Sequence, residues 1–196
     1  MDTITSDTLL EAIRDGQDDK AWHRFIVRYR PMIQAFAKRL GLGDSDAEDV
    51  SQETLLAFLQ SYREGQYNRA RGRLRSWLFG IAHCKVIDTQ RKKIREVAMG
   101  EKTGATGFFT RIESPDEVER LWDEEWQRSI LRACLEDVAK DVTPQTLAAF
   151  ECYVLKGWPV DDVARHLGMP TNAVYIAKNR ILSQVRKRKQ ELEDIW

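Results

Sequence analysis

Apolar residues recur every three or four positions along almost the whole chain, and strand-like alternation is nearly absent. This pattern predicts an all-α protein. A short helix is expected over Thr8–Asp15. A long one is expected over Lys20–Leu40, with Trp22, Phe25, Ile26, Tyr29, Ile33, Phe36 and Leu40 as its buried stripe. Pro31 stands inside that stripe, where a missing N–H can bend a helix. Gly41-Leu42-Gly43 ends it. Asp44–Tyr62 is the next predicted helix, carrying Val50, Leu55, Phe58 and Leu59. A basic loop, Gly65–Arg73, precedes a helix over Leu74–Ile94 that carries Trp77, Leu78, Ile81, Ala82, Val86 and Ile87. The composition shifts at Val97. Ala98–Pro115 holds three glycines and three threonines with no helical period, which predicts a linker. Within it, Phe108-Phe109 is unusual for a free tether; it suits either a local docking knot or contact with a partner.

The period resumes near Asp116. Val118, Leu121, Trp122, Trp126, Ile130 and Cys134 form one stripe, and Leu147, Phe150, Val154 and Leu155 continue it after the helix start at Thr143-Pro144. Lys156-Gly157-Trp158-Pro159 breaks the chain. Val163, Ala164 and Leu167 then mark a short helix, Gly168 a left-handed turn, and Met169 its packing residue. Thr171 is the expected N-cap of a final helix in which Val174, Ile181 and Val185 face inward. Thr171, Asn172, Tyr175, Lys178 and Asn179 are left to face outward, with Arg180 beside them. A helix–turn–helix of this kind can place side chains against base edges in a DNA major groove. Two packed helices joined by a glycine turn also occur in many all-α proteins with no nucleic-acid role. The run Arg186-Lys187-Arg188-Lys189 suits phosphate contacts beside such a motif, or is a solvated face.

The 196 residues suffice for one large domain or two small ones. The formal charge is zero, so its distribution carries the information. From Tyr67 to Gly100, Arg69, Arg71, Arg73, Arg75, Lys85, Arg91, Lys92, Lys93 and Arg95 face only Asp88 and Glu96. Acidic stretches flank this segment: Asp44 to Glu53 before it and Glu113 to Glu125 after it. A polyanion suits the middle and a basic partner the flanks. Cys84, Cys134 and Cys152 are dispersed, as expected of reduced, buried thiols in a cytosolic protein and not of a disulfide framework. No metal-ligand spacing occurs among the cysteines and histidines, and no cofactor is expected. No apolar run approaches the roughly 20 residues of a membrane span, and the N-terminus lacks the apolar core of a signal peptide. A cytoplasmic location without membrane insertion is therefore expected.

Three constellations carry candidate chemistry. Asp46-Ala-Glu-Asp-Val-Ser-Gln-Glu53 opens a helix. Carboxylates there suit the helix dipole, yet Asp49, Gln52 and Glu53 also share a face that offers acceptors to a basic partner. Tyr67-Asn-Arg-Ala-Arg-Gly-Arg-Leu-Arg-Ser-Trp77 interleaves arginines with aromatics, as a single-stranded nucleic-acid platform does; a solvated basic loop and a core tryptophan are the plainer reading. On the following helix, Lys85, Asp88, Arg91 and Lys92 can share an outer strip for DNA backbone.

The order and spacing of these motifs are more specific than any one of them. Trp-x-Arg-Phe and Tyr-Arg-Pro, the acidic helix start, Arg-Gly-Arg-Leu-Arg-Ser-Trp-Leu-Phe-Gly-Ile-Ala, Ile-Asp with Arg-Lys-Lys, a linker and a helix–turn–helix follow one another. This succession resembles the extracytoplasmic-function group of the sigma-70 family, bacterial transcription initiation factors. The resemblance implies region 2 over 1–96, a linker over 97–115 and region 4 over 116–196. It implies that Asp46, Asp49, Gln52 and Glu53 dock on the clamp helices of the RNA polymerase largest subunit, with the flap as a second contact. It implies −10 reading and strand capture by Tyr67, Asn68, Arg69, Arg71, Arg73, Arg75, Trp77, Cys84, Lys85, Asp88, Arg91 and Lys92. It implies −35 reading by Thr171, Asn172, Tyr175, Lys178, Asn179 and Arg180. Promoter DNA and an anti-sigma factor or other inhibitor are the further implied partners. Cys84 stands where the family often has asparagine, and the last helix is less arginine-rich than usual. The remaining readings are a helix–turn–helix regulator that never meets polymerase, and an enzyme. The enzyme reading finds no nucleophile motif, phosphate loop or metal spacing in the sequence.

Overall fold

The computed structural model describes residues 13, 19–68, 72–99 and 114–193, the side chains of 191–193 excepted. Apart from Ile13, which is helical and buried, the expected Thr8–Asp15 helix lies outside the described residues. So do Arg69, Arg71, Phe108, Phe109 and nearly all of the expected linker. The described residues hold helices and no strands: α1 (Asp19–Arg39), α2 (Asp44–Arg63), α3 (Leu74–Ala98), α4 (Pro115–Lys140), α5 (Pro144–Phe150), a π-helical turn (Glu151–Leu155), α6 (Val160–Leu167) and α7 (Thr171–Glu193). The all-α expectation holds. The chain forms two compact units that divide between Ser129 and Ile130, inside α4.

In the first unit α1 runs through Pro31 without interruption and buries Phe25, Tyr29, Met32, Ile33 and Phe36. Gly41 ends it. Its φ of 86° is open to glycine at little cost, and Gly41 N and Leu42 N donate to Lys38 O (2.9 Å) and Ala37 O (3.1 Å). From α3, Gln90 Nε2 donates to Leu40 O at 2.8 Å and ties this end down. Helix α2 buries Val50, Leu55 and Phe58, and α3 buries Leu74, Leu78, Ala82 and Val86. The α2 stripe meets α1 through Phe58, which stacks on Phe25 with centroids 4.5 Å apart.

The first half of α4 packs into this unit. Trp122 lies 5.1 Å from Phe36 and 5.6 Å from Phe79, and Trp126 stacks on Tyr29 at 5.6 Å. Polar groups follow the same seam. Arg39 Nη1 reaches Glu124 Oε2 (2.7 Å) and the buried Glu125 Oε1 (3.2 Å). These charge-assisted bonds hold Arg39 protonated and depress the Glu124 carboxyl. The packing unit thus takes in residues 115–129, which the pattern of the chain alone had grouped with the helices that follow.

In the second unit, Thr143 caps α5 by accepting from Thr146 N, with Pro144 at the helix start. Ala149, Cys152, Val163, Val174 and Ala177 form its core, with Leu167 and Met169 packed against it. One expectation is corrected here. Val154 and Leu155 do not continue the buried stripe; both are exposed, and Cys152 is buried. The cause is the π-helical turn. Lys156 N donates to Glu151 O at 2.9 Å, a span of five residues, so the wider turn rotates these side chains away from the core.

Candidate polymerase and nucleic-acid interfaces

The acidic face is built on α2. Asp44 and Asp46 stand in its first turn, where the helix dipole favours carboxylates. Lys38 bonds to Asp44 at 2.7 Å and holds its carboxyl below the usual carboxylate range. Asp49, Gln52 and Glu53 are exposed on one face, as their spacing predicts. Asp46 is half-buried and paired with Lys93 of α3. Glu53 Oε2 lies 3.1 Å from Lys85 Nζ, also on α3. Gln52 Nε2 donates to Glu48 Oε1 at 2.9 Å, and Glu48 in turn receives Arg30 and Gln34 of α1. Two of the four candidate polymerase ligands are therefore paired with the helix that carries the candidate DNA ligands.

The aromatic part of the second constellation forms one stack. Tyr67 lies on Trp77 with centroids 5.2 Å apart and planes at 25°, and Trp77 rests on Phe58 at 5.3 Å. Tyr62 closes the group at 5.7 Å from Phe58. Trp77 is thus half-buried: it roots in the core and carries Tyr67 above it. Asn68 and Arg73 are exposed. Arg75 is half-buried and ion-paired with Asp123 of α4. Burial makes its proton easier to lose, the nearby Arg73 adds to this, and the charge of Glu119 opposes it.

Along α3, Cys84, Asp88, Arg91 and Lys92 are exposed on an outer strip, and Lys85 is half-buried beside it. The expectation of three buried thiols is thus corrected for Cys84, which the helical period turns outward, while Cys134 and Cys152 are buried. Inward of this strip, His83 stacks on Phe79 at 5.5 Å, and burial lowers its pKa, which favours the neutral imidazole.

In the second unit the turn between α6 and α7 is short. Gly168 takes φ 61° and ψ 38°, and Met169 N donates to Ala164 O at 3.0 Å. Helix α7 counts Thr171 as its first residue, and Ala173 N donates to Pro170 O at 2.9 Å. Val174, Ala177, Ile181 and Val185 are buried. Thr171, Asn172, Tyr175, Ile176, Asn179 and Arg180 are exposed. Lys178 is half-buried, its Nζ 5.4 Å from the ring of Tyr153, which meets Tyr175 edge-on at 5.6 Å. Tyr153 was not readable as part of this surface, because only the π-helical turn brings it there. Of the basic run, Arg188 is tied to Asp137 (3.0 Å) and Asp141, while Arg186 and Lys187 are exposed. Among the described residues no group of histidines, cysteines and carboxylates could hold a metal ion, and no helix is long and apolar enough to cross a membrane.

Residues 25–96 match the family description Sigma-70 region 2. The chain is 25% identical to the RNA polymerase sigma factor CarQ of Myxococcus xanthus, over 94% of this chain and 97% of that protein. It is 24% identical to the ECF RNA polymerase sigma factor SigE of Mycolicibacterium smegmatis, over 98% of this chain and 68% of that one. With the ECF RNA polymerase sigma factor RpoE of Cereibacter sphaeroides it shares 29% identity over 43% of this chain and 45% of that protein. A solved structure, CnrH in complex with the cytosolic domain of CnrY, aligns at a TM-score of 0.37 and 18% identity, covering 91% and 93% of the two chains. A match to sigma-70 region 2 spanning α1 to α3, together with RNA polymerase sigma factors similar to this chain along nearly its whole length, supports an extracytoplasmic-function sigma factor of the sigma-70 family.

Proposed function

We propose that this sigma factor acts purely by binding, and that two regions of its sequence divide the work. Residues 1–96 serve as region 2, 97–115 as a linker and 116–196 as region 4. Asp49, Gln52 and Glu53, with Asp46 at the edge, dock on the clamp helices of the RNA polymerase largest subunit, and region 4 meets the flap. The Tyr67–Lys92 surface captures the displaced strand at the −10 element: its arginines and lysines neutralise phosphates, and the Tyr67–Trp77 stack offers a face to an unstacked base. Pocketing such a base offsets a melting cost of a few kcal/mol. Helix α7 reads the −35 element in the major groove. The protein works in the cytoplasm, inserts in no membrane, and is held by an anti-sigma factor or another inhibitor until needed.

The observation that carries this reading is the co-location of the acidic face of α2 and the basic strip of α3, held side by side by Glu53–Lys85 and Asp46–Lys93. Polymerase docking and strand capture then occur on adjacent faces of one rigid unit. The test is run-off transcription with purified core polymerase on a library of genomic fragments. Discrete transcripts are expected with the wild-type chain. Asp49→Lys combined with Glu53→Lys abolishes both these transcripts and co-purification with core. Equal core binding by wild type and double variant, or no transcript from any fragment, overturns the proposal.

A further inference from the structure

The outward face of α7 has a composition that decides which bases it can read. On a helical wheel with about 100° per residue, Asn172, Ile176, Asn179 and Ser183 fall within about 60° of one another. All four are exposed, Ile176 at 58%. Their stripe lies opposite the buried Val174, Ala177, Ile181 and Val185. It holds two amides, one branched aliphatic side chain and a hydroxyl, and no charge. Neither Asn172 nor Asn179 commits its side-chain amide to another described residue.

The basic residues of this stretch stand aside. Arg180 lies about 70° to one side of the stripe's centre and Lys178 about 130° to the other, and Lys178 rests over the ring of Tyr153 at 5.4 Å. A helix seated in a major groove turns its centre to the base edges and its sides to the two phosphate rows. Lys178 and Arg180 are therefore placed for phosphates. The usual reader of guanine, an Arg or Lys aimed at O6 and N7, is missing from the centre of this stripe. An asparagine amide matches adenine N6 and N7, and an apolar side chain matches the thymine methyl.

We infer that α7 reads an A·T-rich upstream half-site directly, with Asn172 and Asn179 on adenines and Ile176 against a thymine methyl. From Asn172 to Asn179 the helix rises about 10 Å, or about three base-pair steps, so the run of A·T pairs is about three to four long. The inference rests on the reading of α7 as the −35 reader and adds the base identity and the residues that set it. Ile176 is its new member, and Lys178 moves from base to backbone.

The test uses the whole holoenzyme. A promoter fragment recovered by run-off transcription has its upstream segment randomised, and bound duplexes are sequenced. Consecutive A·T pairs, each preferred about tenfold, are expected in the wild-type selection. Asn179→Ala and Asn172→Ala each relax one adenine position while the downstream positions keep their preference. Replacing the upstream thymines by deoxyuridine removes only the methyl groups. It weakens wild-type binding about three- to tenfold and leaves Ile176→Ala unaffected. These side chains are exposed, so unchanged melting curves show that the variants remain folded. A selected half-site rich in G·C, or asparagine variants with unaltered preferences, overturns the inference and leaves α7 as the reader. Absence of any upstream preference overturns both.

Discussion

The two candidate DNA surfaces are prepared in opposite ways. In the first unit several of the charged residues are already paired: Glu53 with Lys85, Asp46 with Lys93, Arg75 with Asp123. In the second, the centre of the outward face of α7 carries neutral amides that engage no other described residue. A charged surface that will meet phosphates can satisfy its charges internally and exchange partners later, because partly exposed ion pairs are worth at most about 1 kcal/mol. A base-reading surface gains nothing from such pairing, since its donors and acceptors must be in position when the groove arrives. Under the proposed function, strand capture is the step with an exchange of partners, and upstream reading uses a preformed face.

The largest expected effect probes what fixes the first unit. Trp122→Ala removes a side chain that is 1% exposed and packed on Phe36 and Phe79. It is expected to cost about 3–5 kcal/mol in urea unfolding of the full chain. A loss under about 1 kcal/mol would mean that the α4 seam is not part of the unit's core. The second unit has a backbone counterpart. Gly168→Ala forces a Cβ into a left-handed conformation and is expected to cost about 1–2 kcal/mol, with weaker protection of an upstream half-site. Unchanged stability would remove the turn from the features that hold the α7 face in place.

A smaller effect sharpens the partner-exchange idea. In a double-variant cycle, Glu53→Gln and Lys85→Met are expected to couple by less than about 1 kcal/mol in stability. In polymerase assays, Glu53→Gln should lower core binding and Lys85→Met should lower open-complex formation. Coupling of several kcal/mol would make the pair a fixed structural element and leave neither residue available for a partner.

The smallest effect is one of pH. His83 has its pKa lowered in the folded chain, so the unfolded chain binds more protons around pH 6. The stabilising contribution is complete above the unfolded value near 6.5 and is lost as pH falls through the lower folded value. His83→Phe is expected to flatten this part of the stability profile, measured by thermal melting between pH 7.5 and 5. An unchanged slope would assign the acid sensitivity to other groups.

Several features were legible in the sequence for definite reasons. The stripes of α1, α2, α3 and α7 follow from the 3.6-residue period, which needs no knowledge of the partner helix. Gly41 and Gly168 announced the ends of α1 and α6 because only glycine takes a positive φ cheaply. Thr143-Pro144 announced α5 through local capping. The outward face of α2 was legible because Asp49, Gln52 and Glu53 are spaced at i, i+3 and i+4, and the family likeness was legible in the order of motifs.

Other features were not local and could be decided only by tertiary structure. The π-helical turn gives no periodic signal, yet it expels Val154 and Leu155 and brings Tyr153 beneath Tyr175 and Lys178. The pairing of Arg75 with Asp123 joins residues 48 positions apart. From charge alone Arg75 was one more basic residue in a basic segment. Trp122 and Trp126 mark a buried stripe, but nothing in their spacing says that Phe36, Phe79 and Tyr29 receive it. Short-range backbone rules act within a turn or two of helix, so the sequence by itself determined the helices, their ends and their polar faces. Which charge neutralises which, and which aromatic covers which, depends on distances that only the packed chain sets.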